Sequence, residues 1–576
     1  MQTRAGFYSG KPLQLENEKI RVKQMMHAMQ DRFSFYEVRV NTKNFYLCES
    51  PKQDDLADIH CTWDESGTVI FRRDTVGHGS LYWIVRNGII YFASEIKALL
   101  GLPFVDIVPD LQGIAECFVY WKPLENRTVF SGVFRLEAGE SLVLKKDSFE
   151  IVLSPLPCPE GEMITDEDDA AVILRNIMNG NLENMLQQTK KRTALFYSGG
   201  LDSTVILAEL VSLQADVSLF SISFTDRALS EKAFQKHAAA YFPSMAQHRV
   251  EVGTEQLQAN LEETLCHIET PLLKLNPVAL NILTDTANNT GFECVLSGEG
   301  ADEWFYGYDF FAEALLRAKT ATAKTRNESN ILFQNEAKKN PSDAYYRSYL
   351  LKYADNLQDP LYALRPRIES AKKILPYFRN CEKISWEISE SGFAKKKHLL
   401  HGSILERSRE LAQCLLLPEY LVTQQAGQIL VNHGMCGYSP FLEKNIANFA
   451  KRLPDQFKLC HGNEKHILKK AYENAIPLAI QKRKKFPLTS PTVASFIENN
   501  AHIFARDLSD EAINKVGIFQ PKLVQELLYR LKKRTRKKAG YDYDANLLTF
   551  IFTTQVLFRL GEDYWGESDS HRKQIV

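Results

Sequence analysis

Residues 194–213 limit most strongly how this chain can fold: the apolar run Ala194-Leu-Phe-Tyr197 passes through Ser198-Gly-Gly-Leu-Asp-Ser203 into the helix-forming stretch Thr204 to Leu213. A strand, a glycine-rich turn and a helix N-terminus together aim backbone N–H groups at one point, and glycines let a bulky anion come close. A turn that needed glycine only for its backbone angles would not also need Ser198, Asp202 and Ser203. We therefore read Ser198, Gly199, Gly200, Leu201, Asp202 and Ser203 as a phosphate cradle. It lacks the GK[ST] ending of a Walker A loop, so cleavage at the γ-phosphate in P-loop style is not implied.

The surroundings of this segment predict the architecture. Thr193 to Tyr197, Val217 to Phe224 and Cys294 to Leu296 read as buried strands that alternate with the helical stretches Leu261 to His267 and Pro277 to Asn289. Such alternation predicts a parallel α/β sheet. Residues 1 to about 155 are different, with short β-branched and aromatic runs such as Ser34 to Val40, Gly67 to Phe71 and Ile89 to Phe92. A break at Pro155-Leu-Pro-Cys-Pro159 precedes Asp166-Glu-Asp-Asp-Ala170, whose acids suit a helix N-terminus, so the expected domains are 1–160 and 161–576. From about residue 310 strand signals fade and a helical lobe is expected. The fold class is thus α/β: a mainly-β N-terminal domain, then a parallel-sheet α/β domain carrying a helical lobe.

Composition excludes several function classes. A chain of 576 residues is too long for one core and points to a multidomain enzyme. Its formal net charge of -1 gives no global field to recruit nucleic acid or a membrane. The ten cysteines form no CxxC pair, which argues against a zinc cage or redox motif and for reduced thiols. No stretch approaches the roughly 20 apolar residues of a membrane span, and a cytoplasmic protein is expected.

A second loop, Val295-Leu-Ser-Gly-Glu-Gly-Ala-Asp-Glu303, continues Trp-Phe-Tyr-Gly-Tyr308. Asp202 and Asp302 each follow a strand of the parallel sheet, so both can lie at its carboxyl edge, where such folds bind ligands. Two carboxylates there could hold Mg²⁺ on a triphosphate; alternatively either caps the helix that follows. Ser198 to Ser203 resembles the pyrophosphatase loop of the N-type ATP pyrophosphatases. With the second loop, Ser221-Ile-Ser-Phe224 and His267-Ile-Glu-Thr-Pro271, the chain resembles the asparagine synthetase family. The resemblance implies cleavage of ATP to AMP and pyrophosphate, adding Ser223, Ser297 and Gly298 to the nucleotide site. It also implies Asp202 and Asp302 as Mg²⁺ ligands and Glu299 as the carboxylate that orients or deprotonates an amine. Glu464-Lys-His-Ile-Leu468 and Pro477 through Arg483-Lys-Lys-Phe486 match the same family, which implies a charge-stabilising lysine at Lys485, with Lys484 as the fallback.

The resemblance breaks in two places. Residues 73–99 resemble the family's glutaminase domain, an αββα N-terminal-nucleophile fold, through Arg73-Asp74, Gly77, Leu81-Tyr82 and Phe92 to Leu99. That chemistry needs a cysteine whose own α-amino group is its base. This chain begins Met1-Gln2-Thr3 and its first cysteine is Cys48, so a scaffold without glutaminase activity is expected. Pro440-Phe-Leu-Glu443 keeps a family motif, but Cys436-Gly-Tyr438 replaces the Glu-x-Arg before it, and Val422, Gln425 and Gly427 stand where charged residues are usual. An amino acid such as aspartate needs charged partners; the acid here is expected to be something else.

The expectation is a ligase that adenylates a small-molecule or peptide carboxylate and joins it to an amine, by cyclisation of the β-lactam or peptide-macrocycle type. The alternatives are ammonia-dependent amidation and an inactive nucleotide-binding scaffold. The resemblance sets Glu299 where β-lactam enzymes carry tyrosine, which favours the amidation reading; the changes at 436–438 favour cyclisation. The basic run 532–538 is a solvated loop, a flap over an anionic site or a dock for a pathway partner.

Overall fold

The computed structural model describes residues 3–9, 15–29, 37–42, 44–49, 59–146, 148–154, 159–226, 232–322, 352–395, 399, 401–483, 490–497, 501–534 and 542–565. Among the described residues its N-terminal part holds ten strands: β1 (Arg4–Ser9), β2 (Glu37–Asn41), β3 (Phe45–Glu49), β4 (His60–Trp63), β5 (Val69–Arg72), β6 (Tyr82–Arg86), β7 (Ile89–Ala93), β8 (Phe134–Arg135), β9 (Glu140–Lys145) and β10 (Ser148–Leu153). They form two antiparallel sheets, ordered β2-β3-β1-β7-β6-β8 and β10-β9-β5-β4. Alternation along the strands decides which residues meet between them: Phe45, Phe71, Trp83, Phe92 and Leu142 share one core. The Phe71 and Phe92 rings lie 4.7 Å apart there. The other face of the six-stranded sheet packs on the helix Leu15–Ala28 through Val22, Met25 and Met26.

The second half is built on five parallel strands, β11 (Thr193–Phe196), β12 (Val217–Phe224), β13 (Gln247–Val252), β14 (Cys294–Leu296) and β15 (Cys436–Tyr438), in the order β13-β12-β11-β14-β15. The chain winds outward from β11 to β13, then returns to the other side of β11 to lay down β14. This reversal opens a crevice at the carboxyl ends of β11 and β14, the two strands that feed the glycine-rich loops. Strand β15 corrects the expectation of a purely helical lobe after residue 310. Three residues long, Cys436-Gly437-Tyr438 pairs with Cys294, Val295 and Leu296, a span too short for alternation to register.

Packing ties the two halves together. Phe118, on the helix Leu111–Tyr120, meets Phe550 and Tyr543 at 5.2 and 5.8 Å, on the long C-terminal helix Tyr543–Leu560. No described helix is long and apolar enough to cross a membrane. Cys48 is fully buried in β3, where burial pushes its thiol above the ordinary range.

Candidate active site

The first loop leaves β11 and enters the helix Leu201–Ser212, so Asp202 and Ser203 occupy its first turn. Gly200 is the N-cap and no side chain caps that turn, which leaves its N–H groups directed at the crevice. Ser198 folds over it, its Oγ accepting from the Gly200 N–H at 3.2 Å and lying 3.2 Å from Ser203 Oγ. The second loop leaves β14 and turns into the short helix Ala301–Trp304. It is held from below: Ser297 N–H donates to the Tyr438 carbonyl at 3.0 Å, and Ser439 Oγ donates to the Glu299 carbonyl at 2.6 Å. The loops touch, since a Cβ on Gly298 would stand 2.9 Å from the Asp202 Cβ.

The two aspartates meet at a lysine. Lys465 Nζ donates to Asp202 Oδ1 at 2.5 Å and lies 2.6 Å from Asp302 Oδ1, the latter approach lacking hydrogen-bond alignment. The lysine side chain is only 2% exposed, against 14% for each aspartate, so the ammonium sits behind the carboxylates while these face the cavity. Its backbone N–H is pinned to the Phe305 carbonyl at 3.1 Å. Gly307 makes the approach possible: any Cβ there would fall 2.0 Å from Asp302 Oδ1 and 2.2 Å from Lys465 Cε. The motif Glu464 to Leu468 was legible in the sequence; the role of Lys465 was not, because only folding brings it 263 positions back to Asp202.

Glu299, Tyr308 and Tyr420 line the same cavity. Burial pushes the Tyr420 hydroxyl up to about 12; its hydrogen bond with Gln425 opposes the shift and the Glu299 charge adds to it. Glu303 turns away from the crevice and accepts from the Tyr308 hydroxyl at 2.6 Å. Burial, then the Asp302 charge, push its carboxyl up to about 8. A folded state that holds this proton more tightly than the unfolded chain loses stability as pH rises between the two values. Stability is therefore expected to fall from pH ~5 to pH ~8 by as much as about 1.4 kcal/mol per unit from this group. Urea titrations of wild type and Glu303→Gln across that window check this: the variant should be flatter, and parallel curves would reject the assignment.

Ser198, Asp202, Ser203, Ser297, Gly298, Glu299 and Asp302 all line a cavity of about 1270 Å³. Gly199 contributes its backbone, whose carbonyl accepts from Arg483 Nη1 at 3.1 Å. Ser223 is buried near the carboxyl end of β12 and is not among the cavity's lining residues. Lys484 and Lys485 lie outside the described residues, although Arg483, the residue before them, is fastened to the first loop. Of the basic run, Arg534 pairs with Asp542 at 2.5 Å and Asp544 at 2.6 Å, while 535–538 lie outside the described residues. Val422, Gln425, Gly427 and Cys436 to Tyr438 line the cavity as well, so these uncharged residues face its interior.

A glycine-rich loop at the switch point of a parallel sheet, facing a second acidic loop and joined to a two-sheet N-terminal domain, defines a two-part α/β protein with its crevice where such folds bind ligands. The asparagine synthase family model matches residues 182–555 and the glutamine amidotransferase domain model matches residues 59–153. The chain belongs to the asparagine synthase family, a family of carbon–nitrogen ligases. It is 23% identical over 475 residues to asparagine synthetase [glutamine-hydrolyzing] 1 of Bacillus subtilis, covering 81% of this chain and 72% of that protein. It is 24% identical over 460 residues to amidase chry2 of Gibberella zeae, covering 71% and 65%. With amidase chyE of Penicillium rubens it shares 27% identity over 277 residues, 44% of this chain and 40% of that protein. The match spans less than two thirds of either amidase.

Proposed function

We propose that this protein adenylates a substrate carboxylate with ATP, releasing pyrophosphate, and then joins the acyl group to an amine. The observation that carries this reading is the convergence of Asp202 and Asp302 beside the uncapped helix turn of the phosphate cradle. The donor set suits Mg²⁺, a hard cation that takes a few carboxylate oxygens and completes its shell with phosphate and water. Asp202 and Asp302 would hold it, and it would neutralise charge on the triphosphate. Lys465 keeps the two carboxylates together, the first-turn N–H groups of Leu201–Ser212 bind phosphate oxygens, and Glu299 accepts the proton of the attacking amine. Lys485 is proposed to stabilise charge from the segment after Arg483, and residues 532–538 to dock a pathway partner.

A cavity of about 1270 Å³ has room for an acid that carries its own amine beside the nucleotide, which supports cyclisation. Glu299 supports ammonia-dependent amidation equally. The test is to incubate the protein with Mg²⁺-ATP and a panel of carboxylic acids, with and without ammonia. AMP and pyrophosphate should form one for one only when an accepted acid is present. Loss of water from the acid without an added amine marks cyclisation. A silent nucleotide-binding scaffold would release no pyrophosphate with any acid, and that result would overturn the reading.

A further inference from the structure

One cation in the cavity wall is answered by no anion of its own. Lys274 lies on the segment between the helices Leu261–Ile268 and Asn276–Asn289, anchored by the buried Leu272 and Leu275. It lines the cavity, and among the described residues it makes no hydrogen bond or ion pair. Burial, then the nearby Arg367, press its ammonium below the ordinary lysine range; Asp309 acts the other way. The acids in that corner are already engaged. Arg367 takes Asp309 at 3.0 Å and Glu313 at 3.7 Å, and Glu313 is shared with Arg317 at 4.0 Å. Among the described residues that corner thus holds three cations, Lys274, Arg317 and Arg367, against two acids, Asp309 and Glu313. A partly desolvated ammonium is costly unless an opposite charge reaches it. The rest of the wall includes Phe118, Trp121, Phe310, Leu364, Leu416 and Leu421, which offer apolar surface and no hydrogen bonds from their side chains beyond the indole N–H.

The geometry points to a substrate acid with an apolar or aromatic body and a second carboxylate, received by Lys274 while the first is presented to the phosphate loop. This rests on the adenylation reading above and specifies its acid. An amino acid's ammonium would meet repulsion at Lys274, in line with the uncharged residues at 422, 425 and 427.

The test is calorimetric titration of the full chain, saturated with magnesium and a non-hydrolysable ATP analogue, with three rigid probes: terephthalate, benzoate and 4-(aminomethyl)benzoate. Terephthalate should bind the wild type at least tenfold more tightly than either other probe. Lys274→Met should erase that preference without weakening benzoate, Lys274→Arg should keep it, and Lys274→Glu should shift it to the aminomethyl probe. Equal affinities in the wild type, no binding of any probe, or equal weakening of terephthalate and benzoate by Lys274→Met would each overturn the inference. The last would mean that Lys274 holds the reacting carboxylate instead. Because these titrations need no turnover, they stand apart from the pyrophosphate assay that tests the reaction itself.

Discussion

Lys465→Met is expected to lower acid-dependent pyrophosphate release at least a thousandfold, about 4 kcal/mol of barrier at ~1.4 kcal/mol per tenfold. The reason is the position of its ammonium, 2.5 Å from Asp202 and 2.6 Å from Asp302 and almost without solvent. Methionine keeps the stem and removes the charge, so two carboxylates are left facing each other in a partly desolvated wall. Removing one partner of a buried ion pair costs about 3–5 kcal/mol of stability, and the slight exposure of the aspartates places the expected loss at the lower end. Asp202→Asn should abolish pyrophosphate release for a different reason, the loss of a carboxylate facing the cavity beside the first loop. In the double variant Asp202→Asn/Lys465→Met the mutual repulsion is gone, so stability should recover part of what Lys465→Met loses while activity stays absent. Exchange of labelled pyrophosphate into ATP and thermal unfolding of the three variants measure both quantities. An exchange rate for Lys465→Met within tenfold of wild type would show that the lysine is dispensable to the aspartate pair.

The site was legible wherever chemistry and chain order coincide. Ser198 to Ser203 and Ser297 to Asp302 are six-residue stretches that begin one or two residues after a strand, so the residues that line the crevice could be read from a line of text. Lys465 was not legible in this way. Its motif can be read, but spacing along the chain says nothing about which lysine folds back onto an aspartate. Strand β13 is not legible either: four of the six residues in Gln247-His-Arg-Val-Glu-Val252 are polar because it lies at the sheet's edge, half in solvent. The uncharged residues at 422, 425, 427 and 436–438 stand out in the sequence, and all of them line the cavity. That they share a cavity with Lys274 depended on the fold, which brings residues more than 140 positions apart to one wall.

Glu419→Gln is expected to destabilise the protein by about 3–5 kcal/mol and to weaken binding of the acid, although Glu419 is not among the residues that line the cavity. The carboxylate is 2% exposed and receives Arg73 at 2.6 Å and Arg135 at 3.4 Å, both guanidiniums coming from the N-terminal half. Arg73 also donates to the carbonyls of Leu136 and Gly77, each at 2.7 Å, and to Thr423 Oγ1 at 2.9 Å. It thus bolts the N-terminal sheets onto Leu417–Gly427, a π-helix whose Tyr420, Leu421 and Gln425 face the cavity. Glutamine preserves the shape and part of the hydrogen bonding but leaves the buried Arg73 guanidinium without its counter-charge and Arg135 with Glu137 alone, at 2.9 Å, so the π-helix loses its fixed register and the wall with it. Burial alone would raise the Glu419 carboxyl, but Arg135 and Arg73 outweigh it and hold the group below its ordinary value. A carboxylate held below its unfolded value contributes stability that is complete above that value, about 4.3, and is lost as pH falls through the folded one. The gap between wild type and Glu419→Gln in urea titrations should therefore be constant from pH 6 to 8 and narrow only below about pH 4. Equal stabilities at pH 7, or a gap that widens on acidification, would mean that the N-terminal sheets are held by their apolar contacts alone and give no support to the cavity wall.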